Sequence, residues 1–106
     1  MIPSNLTELE EGWCNNTPQL NAITVMPDNS YYLSIDNNKL VIGKSSIDKD
    51  IYDLLIFCAR NIIYIKIPDY IEIISPYAFH RCEIGFLAFS RTSKLRIIGS
   101  YAFSFC

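Results

Sequence analysis

The sequence predicts an α/β repeat solenoid dominated by short strands with short helical turns, coil stacked on coil and incomplete at its C-terminal end. Three observations predict it: a unit that recurs at a fixed offset, a period-2 strand pattern in front of that unit, and a Ser-Pro helix start inside it. A length of 106 residues suits one domain.

The recurrence is the strongest of the three. Ile71-Glu72-Ile73-Ile74-Ser75-Pro76-Tyr77-Ala78-Phe79-His80-Arg81-Cys82 aligns without a gap on Leu95-Arg96-Ile97-Ile98-Gly99-Ser100-Tyr101-Ala102-Phe103-Ser104-Phe105-Cys106, so that Cys82 falls on Cys106. Six of the twelve positions are identical: Ile73/Ile97, Ile74/Ile98, Tyr77/Tyr101, Ala78/Ala102, Phe79/Phe103 and Cys82/Cys106. About one match is expected by chance at ordinary residue frequencies. A period in the low twenties lies in the range of leucine-rich repeats.

The unit makes physical sense. Ile63, Ile65 and Ile67 alternate with Tyr64 and Lys66, so the spacing predicts a strand buried on its isoleucine face. Pro68 ends that strand because it cannot donate to a ladder. After a turn at Asp69-Tyr70, Ile71, Ile73 and Ile74 make a second apolar patch. Ser75-Pro76 reads as an N-cap followed by Pro at the first helical position, opening about two turns of helix. Gly99-Ser100 takes the same place in the next copy. Ala78 and Ala102 are small enough for close stacking beside the large Phe79 and Phe103. Each coil leaves an apolar side open until a neighbour covers it.

The succession Ile65-Lys66-Ile67-Pro68, then Ile71 and Ile74, then Tyr77-Ala78-Phe79 with Cys82, resembles the BspA-like leucine-rich-repeat family, common among trichomonad surface antigens. Ile62 to Cys106 carries the likeness most clearly. Trp13 to Val25 is similar to a degenerate repeat, with Trp13 in the place of the usual Phe. Tyr31 to Gly43 resembles the hairpin-like insertion found between repeats. Two stretches depart from the pattern: Glu83 to Phe89 is shorter than the usual link, and Asp48 to Arg60 is similar to only some members. The resemblance divides the single domain, 1–106, into a degenerate first repeat (1–30), an insertion and strand (31–61) and two clear repeats (62–106).

In chain order, Asn5 to Glu11 reads as a short helix capped by Ser4 or Asn5, and a strand is expected near Ala22 to Met26. Pro27-Asp28-Asn29-Ser30 makes a turn. Tyr31 to Ile35 and Leu40 to Gly43 are expected to pair across Asp36-Asn37-Asn38-Lys39, an Asx-rich link of the kind that favours turns. Ser45 to Asp50 is a polar loop, and the apolar run Ile51 to Cys58 fits strand or helix by periodicity alone, with strand the favoured reading and Asp53 near its start. The chain stops at Cys106 without a polar capping coil. Since solenoid ends need caps, the expectation is a fragment, one piece of a longer array, or a self-associating end.

Composition narrows function. The net charge is -2 and the charges are dispersed, so there is no basic footprint for nucleic acid. The longest apolar run, Leu54 to Ala59, is far short of the roughly 20 residues a membrane helix needs. The start lacks the basic and apolar stretches of a secretory signal. Cys14, Cys58, Cys82 and Cys106 include no Cys-x-x-Cys pair, and one His cannot complete a zinc site of ordinary spacing. Free buried thiols are the simpler reading, with disulfides open to an extracellular chain.

No catalytic constellation is visible. His80 stands opposite Ser104 of the next copy and reads as a solvent-facing helix residue, with no carboxylate or nucleophile placed to work with it. Cys82 and Cys106 recur at a repeat position, which argues for packing over a nucleophile. The Asp/Asn clusters at 28–29, 36–38 and 48–50 lack the ligand spacing of a calcium loop, and the triplets at Asn5 and Asn15 are weak glycosylation signals. The sequence implies no metal, no cofactor and no enzymatic activity.

A solenoid without chemistry offers a surface. The outward strand positions Tyr64, Lys66, Glu72 and Arg96 are the candidate partner contacts. The family resemblance implies a cell-surface antigen or adhesin whose partner is a host-cell or extracellular-matrix protein, with no nucleic acid and no membrane insertion by this chain. The alternatives are a cytoplasmic interaction scaffold and a truncated fragment without activity of its own.

Overall fold

The structure, a computed structural model, describes residues 2, 3, 13, 21–46, 48–104 and 106. The expected helix at Asn5 to Glu11, Cys14 and both glycosylation triplets lie outside the described residues. Among the described residues seven strands follow in order: β1 (Tyr32–Ile35), β2 (Leu40–Gly43), β3 (Leu54–Cys58), β4 (Tyr64–Ile67), β5 (Ile73–Ile74), β6 (Phe86–Phe89) and β7 (Ile97–Ile98). They form a five-stranded sheet ordered β1-β2-β3-β5-β7 and a two-stranded sheet of β4 and β6.

The hairpin comes from its turn. Asp36, Asn37 and Asn38 take φ of 52°, 58° and 67°, the left-handed region that Asx residues tolerate best. Lys39 N donates to Asp36 O at 3.2 Å, and β1 pairs antiparallel with β2 from Tyr32↔Gly43 to Ile35↔Leu40. In front of the hairpin, Asn29 is buried, and its Oδ1 accepts from Tyr31 N and Tyr32 N at 2.8 and 2.9 Å. The strand expected near Ala22 to Met26 is reduced to a single parallel bridge, Ile2↔Val25.

Strand β3 is apolar throughout because both of its faces are covered. Its register to β2 steps from Val41↔Phe57 to Ile42↔Leu55, leaving Ile56 as an extra, bulged residue. The bulge shifts the alternation. Leu55 and Cys58 join one core with Leu40, Ile42, Ile65, Ile67, Ile74 and Phe79, while the consecutive Ile56 and Phe57 join another with Ile2, Ile23, Val25, Tyr32 and Val41.

Beyond β3 the chain coils. β5 lies parallel to β3 (Leu54↔Ile73), β7 parallel to β5 (Ile73↔Ile97), and β6 parallel to β4 (Tyr64↔Phe86). β4 alternates exposed Tyr64, buried Ile65, exposed Lys66 and buried Ile67. The period-2 reading is correct there but begins one residue too early. Ile63 precedes the strand and is exposed, and its carbonyl accepts from Gly85 N and Phe86 N at 2.7 and 3.0 Å.

The expected helical turns do not form; among the described residues there is no helix. Ser75 to Cys82 is a run of tight turns, with Ala78 N to Ser75 O, His80 N to Tyr77 O and Cys82 N to Phe79 O at 3.2, 3.1 and 3.0 Å. Tyr77 and Arg81 have φ of 65° and 61°, and Tyr101 repeats this at 59°. A left-handed residue every few positions cannot continue an α-helix. Ser75 instead joins the preceding coil, its N–H donating to Leu55 O at 2.9 Å, and its carbonyl closes a turn by accepting from Ala78 N. Stacking compensates the strained backbone: Phe79 N donates to Ala102 O at 2.7 Å, Arg81 N donates to Ser104 O at 2.9 Å, and the Tyr77 and Tyr101 rings stack at 5.4 Å.

Candidate functional site

The four candidate contacts fall into two places. Tyr64 and Lys66 share the outer face of β4, because the alternation that buries Ile65 and Ile67 turns them outward. Glu72 and Arg96 precede β5 and β7 in the other sheet and bind each other, Arg96 Nε to Glu72 Oε1 at 3.1 Å.

The β4–β6 face is the more exposed place. Ile63, Tyr64 and Phe86 are 62%, 59% and 70% exposed, and the register sets Tyr64 beside Phe86. The short link between coils holds that register: Glu83 N donates to Arg60 O at 3.0 Å before the two bonds to Ile63 O. Tyr64 and Lys66 also line a groove of about 640 Å³ together with Ile35, Asp36, Ile62 and Tyr70. Sequence reasoning missed Phe86 because the step that carries Cys82 onto Cys106 carries Tyr64 onto Ala88. The strands pair two positions short of that step, Tyr64↔Phe86.

Glu72 and Arg96 belong to a line of charges. Lys49 Nζ lies 3.7 Å from Glu72 and 3.0 Å from Asp53. Asp53 is fully buried and accepts from Ser45 N at 2.8 Å and Ser45 Oγ at 2.5 Å. Burial pushes the Asp53 carboxyl up, but the hydrogen bonds from Ser45 and Lys49 outweigh it and hold it below its ordinary value. The line runs Asp53, Lys49, Glu72, Arg96, and it ties the polar loop before β3 to the following coils.

His80 is not solvent-facing. It is 6% exposed, with its ring edge-on to Tyr77 at 5.3 Å. Burial, helped by the charges of Arg81 and Arg60, lowers its pKa. Cys58 and Cys82 are free and buried, as expected of core thiols, whereas Cys106 is exposed although its Sγ donates to Phe79 O at 2.9 Å. Among the described residues, no three of His, Cys, Asp and Glu gather where they could hold a metal ion.

A family model described as "BspA type Leucine rich repeat region (6 copies)" matches residues 49–106, more than half of the chain. The chain belongs to the BspA-type leucine-rich-repeat family. No curated protein and no solved structure matches it. The leucine-rich-repeat assignment covers β3 to β7, the part in which parallel strands stack, and makes the chain a protein-interaction repeat of a kind that is generally non-enzymatic. Families of this type are often surface-associated, and among the described residues no helix is long and apolar enough to cross a membrane.

Proposed function

We propose that this chain is a non-enzymatic protein-binding module of a cell-surface antigen or adhesin, and that its ligand is a host-cell or extracellular-matrix protein. The observation that carries the reading is the pair of exposed aromatic residues, Tyr64 and Phe86, that the register sets side by side on the β4–β6 face. Contiguous exposed apolar groups with aromatic anchors are a signature of interaction sites. Lys66, beside them on β4, supplies a cation for a carboxylate on the partner. Glu72 and Arg96 stand apart from this face, in the other sheet, and they already pair with each other.

Protease shaving of intact source cells, read by mass spectrometry, tests the surface role. Release of peptides of this chain while cytosolic markers stay protected supports it; complete protection until lysis overturns it. A second reading, an intracellular interaction scaffold, draws support from the unbridged, buried Cys58 and Cys82, since free thiols persist best in reducing compartments. Complete protection together with fully reduced cysteines in the native protein selects that reading.

A further inference from the structure

β7 is the last strand of the five-stranded sheet, and its outer edge has no strand beside it among the described residues. The contact of β7 with β5 shows what such an edge accepts. Glu72 O takes the N–H groups of Arg96 and Ile97 at 2.9 and 3.2 Å, and Ile74 O takes Gly99 N at 2.7 Å. In the register Ile73↔Ile97 and Ile74↔Ile98, the matching carbonyls one coil on are Arg96 O and Ile98 O. Neither receives a hydrogen bond among the described residues. The side chains agree: Ile74, covered by β7, is fully buried, whereas Ile97 and Ile98 are 43% and 56% exposed.

Charge narrows what can lie on that edge. The line Asp53, Lys49, Glu72, Arg96 alternates in sign from the buried carboxylate outward and stops on a cation. Glu72 holds Arg96 through Nε, while the terminal N–H groups of the guanidinium meet no carboxylate among the described residues. From Ile84 to Cys106 the charged residues are Arg91, Lys94 and Arg96, all exposed, with no Asp or Glu. Two such edges brought together would set cation against cation, which disfavours a second copy docked edge to edge and favours an acidic partner.

We propose that the outer edge of β7 is a strand-addition site for an extended segment of another polypeptide, one that carries a carboxylate followed by two aliphatic residues. The site lies in the other sheet from the β4–β6 face and does not depend on the binding proposed there. The incoming N–H groups bond to Arg96 O and Ile98 O, the carboxylate meets the terminal nitrogens of Arg96, and the aliphatic pair covers Ile97 and Ile98. Backbone bonds supply affinity whatever the sequence, so the carboxylate and the aliphatic pair set the specificity. The chain holds its own example of such a segment. Glu72-Ile73-Ile74 lies on β3 through the same bonds, with Glu72 N and Ile73 N donating to Asp53 O and Ser75 N donating to Leu55 O.

The test uses the full chain and a fluorescein-labelled peptide, Asp-Tyr-Ile-Glu-Ile-Ile-Ser, which copies residues 69–75. Fluorescence anisotropy should show saturable binding that weakens as salt is raised. Replacing the Glu of the peptide by Lys should weaken binding about tenfold or more, and Arg96→Glu in the chain should reverse that preference. Ile98→Lys should abolish binding of the original peptide. The first comparison changes only the peptide, so it decides even where a variant fails to fold. Equal binding of the two peptides, no binding at millimolar peptide, or binding untouched by Ile98→Lys overturns the proposal. So does a dimer of the chain alone, seen by sedimentation, that Ile98→Lys splits, since a second copy would then hold the edge.

Discussion

Arg96 Nε donates to Glu72 Oε1 at 3.1 Å, and the two residues hold matching places in successive copies of the repeat, so the contact joins one coil to the next. Lys49 approaches Glu72 from the other side at 3.7 Å, and Asp53 stands behind Lys49. Surface charge thus continues inward to a buried carboxylate. The energetics of the two ends differ sharply because their solvent environments differ.

Asp53→Ala should destabilise the chain by about 3 kcal/mol, since it strips a buried acceptor from Ser45 and Lys49. Arg96→Ala should cost under about 1 kcal/mol, because the Arg96 side chain is 55% exposed and its ion pair is screened. Urea unfolding of both variants decides; equal losses would mean that burial does not set the difference.

Acid should unfold the chain through two groups. The Asp53 carboxyl is held below its ordinary value, so its stabilisation is complete above about 4 and is lost as pH falls through the folded value. His80 is also held below its ordinary 6.5, so the unfolded chain takes up that proton first and stability declines as pH drops from there. Urea midpoints between pH 3 and pH 8 should therefore show a shallow upper slope that His80→Gln removes. A steeper lower slope should vanish in Asp53→Asn.

Gly99→Ala should cost about 1–3 kcal/mol. A Cβ at that position would lie 2.5 Å from Pro76 N and 2.7 Å from Pro76 Cδ, in the tight approach of one coil to the next. Ser75, its counterpart in the preceding copy, already carries a Cβ, and Ser75→Ala should be milder. Thermal unfolding of the two alanine variants gives the comparison, and a neutral Gly99→Ala would mean that the coils separate easily.

Phe86→Ser should leave stability within about 0.5 kcal/mol of the parent, because the side chain is already 70% exposed. Its effect should appear in binding. Once a protein ligand is in hand, Phe86→Ser and Tyr64→Ala should each weaken it about tenfold or more by surface plasmon resonance. Unchanged affinity in both would remove the β4–β6 face from the proposal.

Where local chemistry dictates the backbone, the sequence was readable. Ile65 and Ile67 face inward against Tyr64 and Lys66, and three Asx residues make the left-handed turn between β1 and β2. The pattern around Ser75-Pro76 was misleading. An N-cap followed by Pro favours a helix only where the next residues can take right-handed angles, and stacking on the following coil holds Tyr77 left-handed instead. His80 and Arg60 were illegible for a related reason. Both are buried in the folded chain, and Arg60 packs on Ala78 and Cys82, which lie far from it in sequence.

By itself, the sequence determined the repeat, the strand faces and the hairpin turn, because each depends on patterns that local chemistry makes legible. The alignment of one coil on another was decided by the tertiary structure alone. The paired strands stand at three different offsets, Leu54↔Ile73, Tyr64↔Phe86 and Ile73↔Ile97. Side chains alternate with a period of two, so a slip by two positions keeps the same residues facing inward. The hydrophobic pattern cannot distinguish Tyr64↔Phe86 from Tyr64↔Ala88. The choice rests on the backbone bonds of Glu83, Gly85 and Phe86 to the preceding coil, and it is that choice which brings Phe86 beside Tyr64.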